Sequence, residues 1–177
     1  GVEGVAEHTF PLKTVTDALA LRTHLLSRFE RAATATAGEV DLGIAVIGGG
    51  PTGVEMAGGL RELIDHVLRK DYPELDLSQV PITLIEAADR VLGPFDPSLS
   101  EHASEALRKR RVTVQLGVGV AGIEPGAVLL ADGRRVPAGT IVWATGVAGN
   151  PVGSLLGVQL GRGNRIPVEA DLSLAGH

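Results

Sequence analysis

The spacing of apolar positions changes several times along this chain, and each change predicts an element. From Thr14 the apolar residues Val15, Leu19, Leu21, Leu25, Leu26 and Phe29 recur at the spacing of one helix face, with Thr14 or Thr16 placed to cap its start. Residues 1–11 before it read as irregular, and the Ala/Thr/Gly stretch 32–38 ends it. The run 42–47 (LGIAVI) is continuously apolar and closes on glycines, which predicts a strand buried on both faces. After Gly53 the spacing is helical again through Ala57, Leu60, Ile64, Val67 and Leu68, and this helix should stop near Lys70, ahead of Tyr72-Pro73. Beyond Pro81, 82–85 reads as a second buried strand. Asp96 or Ser98 can cap a third helix with an apolar face of Leu99, Ala103, Ala106 and Leu107, and 112–116 reads as a third strand.

The pattern then shortens. Runs at 118–123, 127–130 and 134–136 are separated by Glu124-Pro125-Gly126 and Ala131-Asp132-Gly133, turn chemistry that predicts an antiparallel meander. A further buried strand, 140–144 (TIVWA), closes on Thr145-Gly146. The tail, 147–177, is rich in Gly and Pro, with one candidate strand at 165–168. The order strand, helix, strand, helix, strand, meander, strand predicts an α/β fold in three layers. It combines a right-handed βαβαβ parallel sheet with a β-meander, and any ligand belongs at the carboxyl ends of the parallel strands.

Composition narrows the function. Of 177 residues 44% are hydrophobic but only 3% aromatic, so the core must be aliphatic. A net charge of −5 disfavours nucleic acid as a partner. The one basic cluster, Arg108-Lys109-Arg110-Arg111, suits the last turn of a helix, where cations meet the negative end of the dipole. The absence of cysteine excludes disulfides, thiolate metal sites and a dithiol within this chain. The five histidines are scattered without ligand spacing, so no metal site is expected, and Trp143 reads as core. No signal peptide or long apolar span is present, which points to a cytosolic setting. Gly1 in place of a start methionine suggests a piece of a longer protein.

The chemistry sits at the end of the first buried strand, in Gly48-Gly49-Gly50-Pro51-Thr52-Gly53. Gly48, Gly50 and Gly53 form G-x-G-x-x-G, a weak signal alone but here placed between a strand and a helix. Gly48 would allow the tight turn, Gly50 the close approach of a pyrophosphate to the backbone, and Gly53 the packing of helix on strand. The phosphates would meet free amides and the positive helix end. Glu86, at the end of the second strand, is placed to accept from the adenosine ribose hydroxyls. It lies farther on than the usual gap of about 20 residues, and the segment 71–81 supplies the excess. A carboxylate there would repel a 2′-phosphate, so NADH is expected over NADPH. Arg90 could soften that preference or simply form a surface ion pair. Glu55 divides evenly between a helix-dipole role and accepting from the nicotinamide carboxamide.

The segments AVIGGGPTGVEMAGGLREL, KDYPELD, ITLIEAADRVL and IVWATGV together resemble type II NADH:quinone oxidoreductases, single-chain flavoproteins with two dinucleotide-binding domains. EHTFPLKTVTDALALRTHLLSRFE and RGNRIPVEADLSLAGH resemble the segments flanking the NADH-binding domain of that family. The resemblance implies that 1–41 is a linker and helix from the FAD domain, 42–146 the NADH-binding domain and 147–177 a return towards the FAD domain. It implies pyrophosphate binding at the glycine turn, ribose binding at Glu86, a place for Glu55 beside the nicotinamide, and a cleft lined by Ala144, Thr145 and Gly146. The implied reaction passes hydride from NADH to FAD and then electrons to a quinone.

The family's FAD-binding glycine motif, the Gly-Asp motif of its flavin site and its amphipathic membrane anchor have no counterpart here. This chain is therefore expected to bind NADH but neither to complete a FAD site nor to reduce quinone alone. The full-length protein is expected on the inner face of the cell membrane, with homodimer formation among its expected partnerships. Two alternatives stay open: the nucleotide domain of a ferredoxin, rubredoxin or disulfide reductase, and an NAD(H)-binding module without turnover.

Overall fold

The computed structural model describes residues 1–36, 38–146 and 148–174, which fall into two compact units, Gly1–Thr145 and Gly146–His177. In the first, five strands form a parallel sheet. Named in chain order, β1 is Phe10–Pro11, β2 Ile44–Ile47, β3 Ile82–Ile85, β4 Val112–Gln115 and β8 Thr140–Trp143. Their order across the sheet is β1-β8-β2-β3-β4. The remaining strands, β5 (Val120–Glu124), β6 (Ala127–Leu130) and β7 (Arg135–Pro137), form the antiparallel meander. The helices are α1 (Val5–His8), α2 (Val15–Thr34), α3 (Pro51–Leu63), α4 (Arg69–Asp71) and α5 (Pro97–Lys109). A wider π turn, Ile64–Leu68, joins α3 to α4.

The two-residue side-chain period of the strands builds three layers. On one face Ile44, Val46, Ile82, Leu84, Val112 and Val142 pack with Leu21, Leu25 and Phe29 of α2, Ala57 and Leu60 of α3, and Leu107 of α5. On the other, Ala45, Ile47, Ile85 and Ile141 pack with Ile123, Val128 and Leu130 of the meander. The α/β expectation, parallel sheet and meander included, is what the fold shows.

Four local expectations are corrected. Residues 1–11 are not irregular throughout: 5–8 form α1 and 10–11 form β1, and Phe10 pairs in parallel with Val142. A two-residue strand has no period to read, and Pro11 is tolerated because β1 is an edge. The apolar face of α5 is not Leu99-led. Leu99 is 51% exposed, whereas Ser100 and Ser104 are buried with Leu107. Ser100 can be buried because its hydroxyl donates to the Val91 carbonyl at 2.6 Å. In α2, Val15 is 77% exposed and takes no part in the buried stripe. The described residues of the second unit contain the 3₁₀ turns Pro151–Leu156 and Arg162–Asn164 and no strand, so 165–168 is not one. Ala37, Val147 and residues 175–177 (His177 among them), which earlier expectations included, lie outside the described residues.

A buried arginine, invisible to periodicity, holds the inserted segment in place. Arg61 of α3 is 1% exposed. It donates to the carbonyls of Val80 (3.0 Å) and Leu77 (3.1 Å) and to the Asp65 carboxylate (2.8 Å), which Arg111 also meets at 2.9 Å. The 71–81 segment is thereby fastened beneath α3, and β3 enters the sheet beside β2 despite the extra length.

Candidate functional site

In register, Ile47 of β2 lies opposite both Ile85 of β3 and Trp143 of β8, so the next residues, Gly48, Glu86 and Ala144, share the carboxyl edge of the sheet. The edge is tied by bonds from the Gly48 amide to Ile85 O and from the Ala144 amide to Ile47 O, both 2.8 Å. Successive connections run from β2 to β3 to β4 on one side, and the chain then returns to β8 on the other side of β2. The edge of β2 is thus the switch point, where open α/β sheets form a crevice.

The glycines of the turn do different work. Gly48 has φ 110°, and a Cβ there would lie 3.0 Å from the Ala144 carbonyl group and the Thr145 methyl. A Cβ on Gly53 would run into the Gly48 carbonyl, so this glycine sets how closely α3 approaches β2. Gly50 differs from both: its backbone is extended, with φ −71° and ψ 179°, and open space surrounds the position of a Cβ. Helix α3 then begins at Pro51 with no side-chain cap, and Pro51 brings no amide of its own. The amides of Thr52 and Gly53 belong to the first turn, which has no partners within the helix.

Glu86 is half-buried and reaches across the turn. Its Oε2 accepts from the Gly49 amide at 2.5 Å and its Oε1 from the Ala88 amide at 2.8 Å. Its carboxylate therefore lies over the middle glycine. Arg90 has no ion pair with Glu86 among the described residues; its guanidinium donates to Gly93 O at 2.5 Å. Beside these residues the strand ends and the meander enclose a cavity of about 250 Å³, lined by Ile47, Gly48, Ile85, Glu86, Val118 and Trp143 among others. Trp143 is a half-buried wall of this cavity rather than fully enclosed core.

Glu55 is exposed at the fifth position of α3. The first turn of α3 holds no acidic residue, and dipole effects fade beyond it, so the dipole explains Glu55 poorly. It shares a helix side with Pro51 and Thr52. Ala144 and Thr145 adjoin Gly48. Gly146, with φ 70°, begins the second unit.

Sequence reasoning missed Leu92. This leucine has φ 52°, in the left-handed region, and its amide donates to the Gly49 carbonyl at 2.7 Å. No residue-type signal marks a leucine for that conformation. The capping of α5, by contrast, was open to reading. Asp96 accepts from the Ser98 amide at 2.9 Å and hydroxyl at 2.6 Å, and these bonds hold its carboxyl below the ordinary range.

The family model described as pyridine nucleotide-disulphide oxidoreductase matches residues 1–175. The chain is 35% identical over 188 residues to the type II NADH:quinone oxidoreductase Ndh of Mycobacterium tuberculosis, covering 100% of this chain and 41% of that one. It is 35% identical over 178 residues to the mitochondrial external alternative NAD(P)H-ubiquinone oxidoreductase B3 of Arabidopsis thaliana, covering 96% and 30%. It thus spans about two fifths or less of these relatives' length. Among solved structures, NDH2 of Plasmodium falciparum in complex with NADH matches with a TM-score of 0.78 at 22% identity, over 85% of this chain and 32% of that one. Putidaredoxin reductase in its covalent complex with putidaredoxin matches at 0.63 and 26% identity, over 89% and 33%.

Proposed function

This chain belongs to the pyridine nucleotide-disulphide oxidoreductase family, and on that premise we propose that it is the NADH-binding part of an FAD-dependent NADH:quinone oxidoreductase. The observation that carries the proposal is the turn Gly48–Gly53: open at Gly50, leading into an uncapped helix, and overlain by the Glu86 carboxylate.

The residues fit such a nucleotide. The amides of Gly50, Thr52 and Gly53 are disposed to hold a pyrophosphate, aided by the positive end of α3. Glu86 is fixed by two backbone amides and, as a carboxylate, retains capacity to accept from ribose hydroxyls. A 2′-phosphate at the same place would meet its negative charge, so NADH is favoured over NADPH. Ala144 and Thr145 form the wall next to Gly48, and Glu55 accepts from the carboxamide. Bound NADH and FAD supply the hydride chemistry; this chain binds and orients the nucleotide.

The proposal assigns 42–146 to NADH binding, and 1–41 and 147–177 to the connections with a FAD domain. FAD and quinone are held outside this chain. No helix among the described residues is long and apolar enough to cross a membrane, and attachment to the inner membrane face is assigned to other segments. Quinone is preferred to a redox protein as acceptor because the quinone oxidoreductases match at 35% identity and putidaredoxin reductase at 26%.

The chain's one tryptophan, Trp143, lines the cavity beside Gly48 and reports on binding. The purified chain is expected to show no flavin absorbance, and NADH should quench Trp143 fluorescence saturably. Absence of saturable quenching and of calorimetric NADH binding would overturn the assignment, and a retained flavin that bleaches with NADH would overturn the division between this chain and a FAD domain.

A further inference from the structure

We propose that Leu92, through its backbone, and Arg90, through its guanidinium, are positioning residues that aim the Gly50 amide at the nucleotide's phosphates; the inference rests on the NADH assignment above. The Gly49 carbonyl and the Gly50 amide belong to one planar trans peptide, so they point in opposite directions. The Leu92 amide holds the Gly49 carbonyl at 2.7 Å, and this fixes where the Gly50 N–H points. On the preceding peptide, Glu86 holds the Gly49 amide at 2.5 Å. Glycine on both sides would otherwise leave the Gly49–Gly50 peptide free to turn over. Turned over, it would present a carbonyl oxygen to an anion.

The brace is built to resist that. Leu92 adopts φ 52°, a conformation costly for a residue with a Cβ, and its surroundings must impose it. Val91 is fully buried and the Leu92 side chain packs against the helix-side core. Ser100 of α5 donates to the Val91 carbonyl at 2.6 Å. Arg90 closes the loop by donating to Gly93 O at 2.5 Å, and the Phe95 amide donates to Leu92 O at 2.8 Å. The β3–α5 loop thus connects the core to one peptide of the glycine turn.

Two substitutions at Leu92 separate positioning from packing. Leu92→Gly removes the side chain but accepts a left-handed backbone; Leu92→Val keeps an apolar side chain but, being β-branched, resists it. Positioning predicts that Leu92→Val weakens NADH binding by about tenfold, the wild-type Leu92 amide being slow to exchange and the variant's fast, while Leu92→Gly stays within about threefold of wild type despite a lower unfolding midpoint. Arg90→Met should behave like Leu92→Val, and Arg90→Lys should recover part of the affinity. The reverse order, with Leu92→Gly the weaker binder, overturns the proposal, as does wild-type affinity in both Leu92→Val and Arg90→Met. A wild-type chain that does not bind NADH would instead sink the assignment beneath it.

Discussion

Helices α3 and α5 begin in the same way and then part. Each has 13 residues and each places proline at its start, at Pro51 and Pro97. Helix α5 is preceded by Asp96, whose carboxylate satisfies the Ser98 amide. Helix α3 is preceded by Gly50, which has no side chain to offer. Helix α2 is capped more fully still, by the reciprocal Thr14 and Asp17 pair. A chain that caps two of its long helices with side chains leaves bare the one whose start lies at the switch point of the sheet. The contrast is in where the amides go: the Ser98 amide of α5 is taken by its own cap, whereas the start of α3 has no side-chain cap, and the proposed function puts an external anion there.

That contrast can be broken from either side. The largest effect is expected at Gly50. Its backbone angles suit any residue and a Cβ meets nothing, so Gly50→Val should fold as wild type yet lose NADH affinity by about a hundredfold or more, because bulk now stands where the phosphates approach. Calorimetric titration beside a thermal melt checks both halves. A smaller effect is expected for Glu86→Ala: about tenfold weaker NADH binding and a narrower preference over NADPH. An unchanged NADH/NADPH affinity ratio would remove Glu86 from the ribose. Smallest is Asp96→Ala, expected to lower the unfolding midpoint by a few degrees and leave NADH affinity unchanged. It also carries a pH signature. Because the folded carboxyl lies below its ordinary value of 3.8, the unfolded chain takes up the proton first as pH falls. The cap's contribution is therefore complete above about pH 3.8 and fades below it, and Asp96→Ala should flatten the acid limb of a stability profile.

The parts of this comparison were unequally legible beforehand. Strand β2 and the glycine turn were readable because a buried parallel strand is an unbroken apolar run and the turn needs glycine where φ is positive or backbones touch. Asp96 was readable as a cap because its residue type has a local task. The place of Glu86 at the carboxyl edge was readable despite its late position because a strand end is a fixed place in the unit. Leu92 was not readable: its role lies in a main-chain amide and a left-handed backbone imposed by neighbours far along the chain. The burial of Arg61 and Ser100 was not readable for a related reason. Their burial depends on carbonyls supplied by other segments, at Leu77, Val80 and Val91, and polar side chains carry no mark of partners they have yet to meet. Strand β1 was too short to show a period, and among the described residues of its unit there is no strand for the 165–168 run to pair with.

The most direct test gives α3 the cap that α5 already has. Gly50→Asp places a carboxylate where Asp96 stands in the other helix, and NADH affinity and the unfolding midpoint are measured together by calorimetry. NADH binding should disappear while the midpoint holds or rises, because the first-turn amides are then satisfied from within and a negative charge occupies the phosphate position. Undiminished NADH binding by a folded Gly50→Asp chain would contradict it.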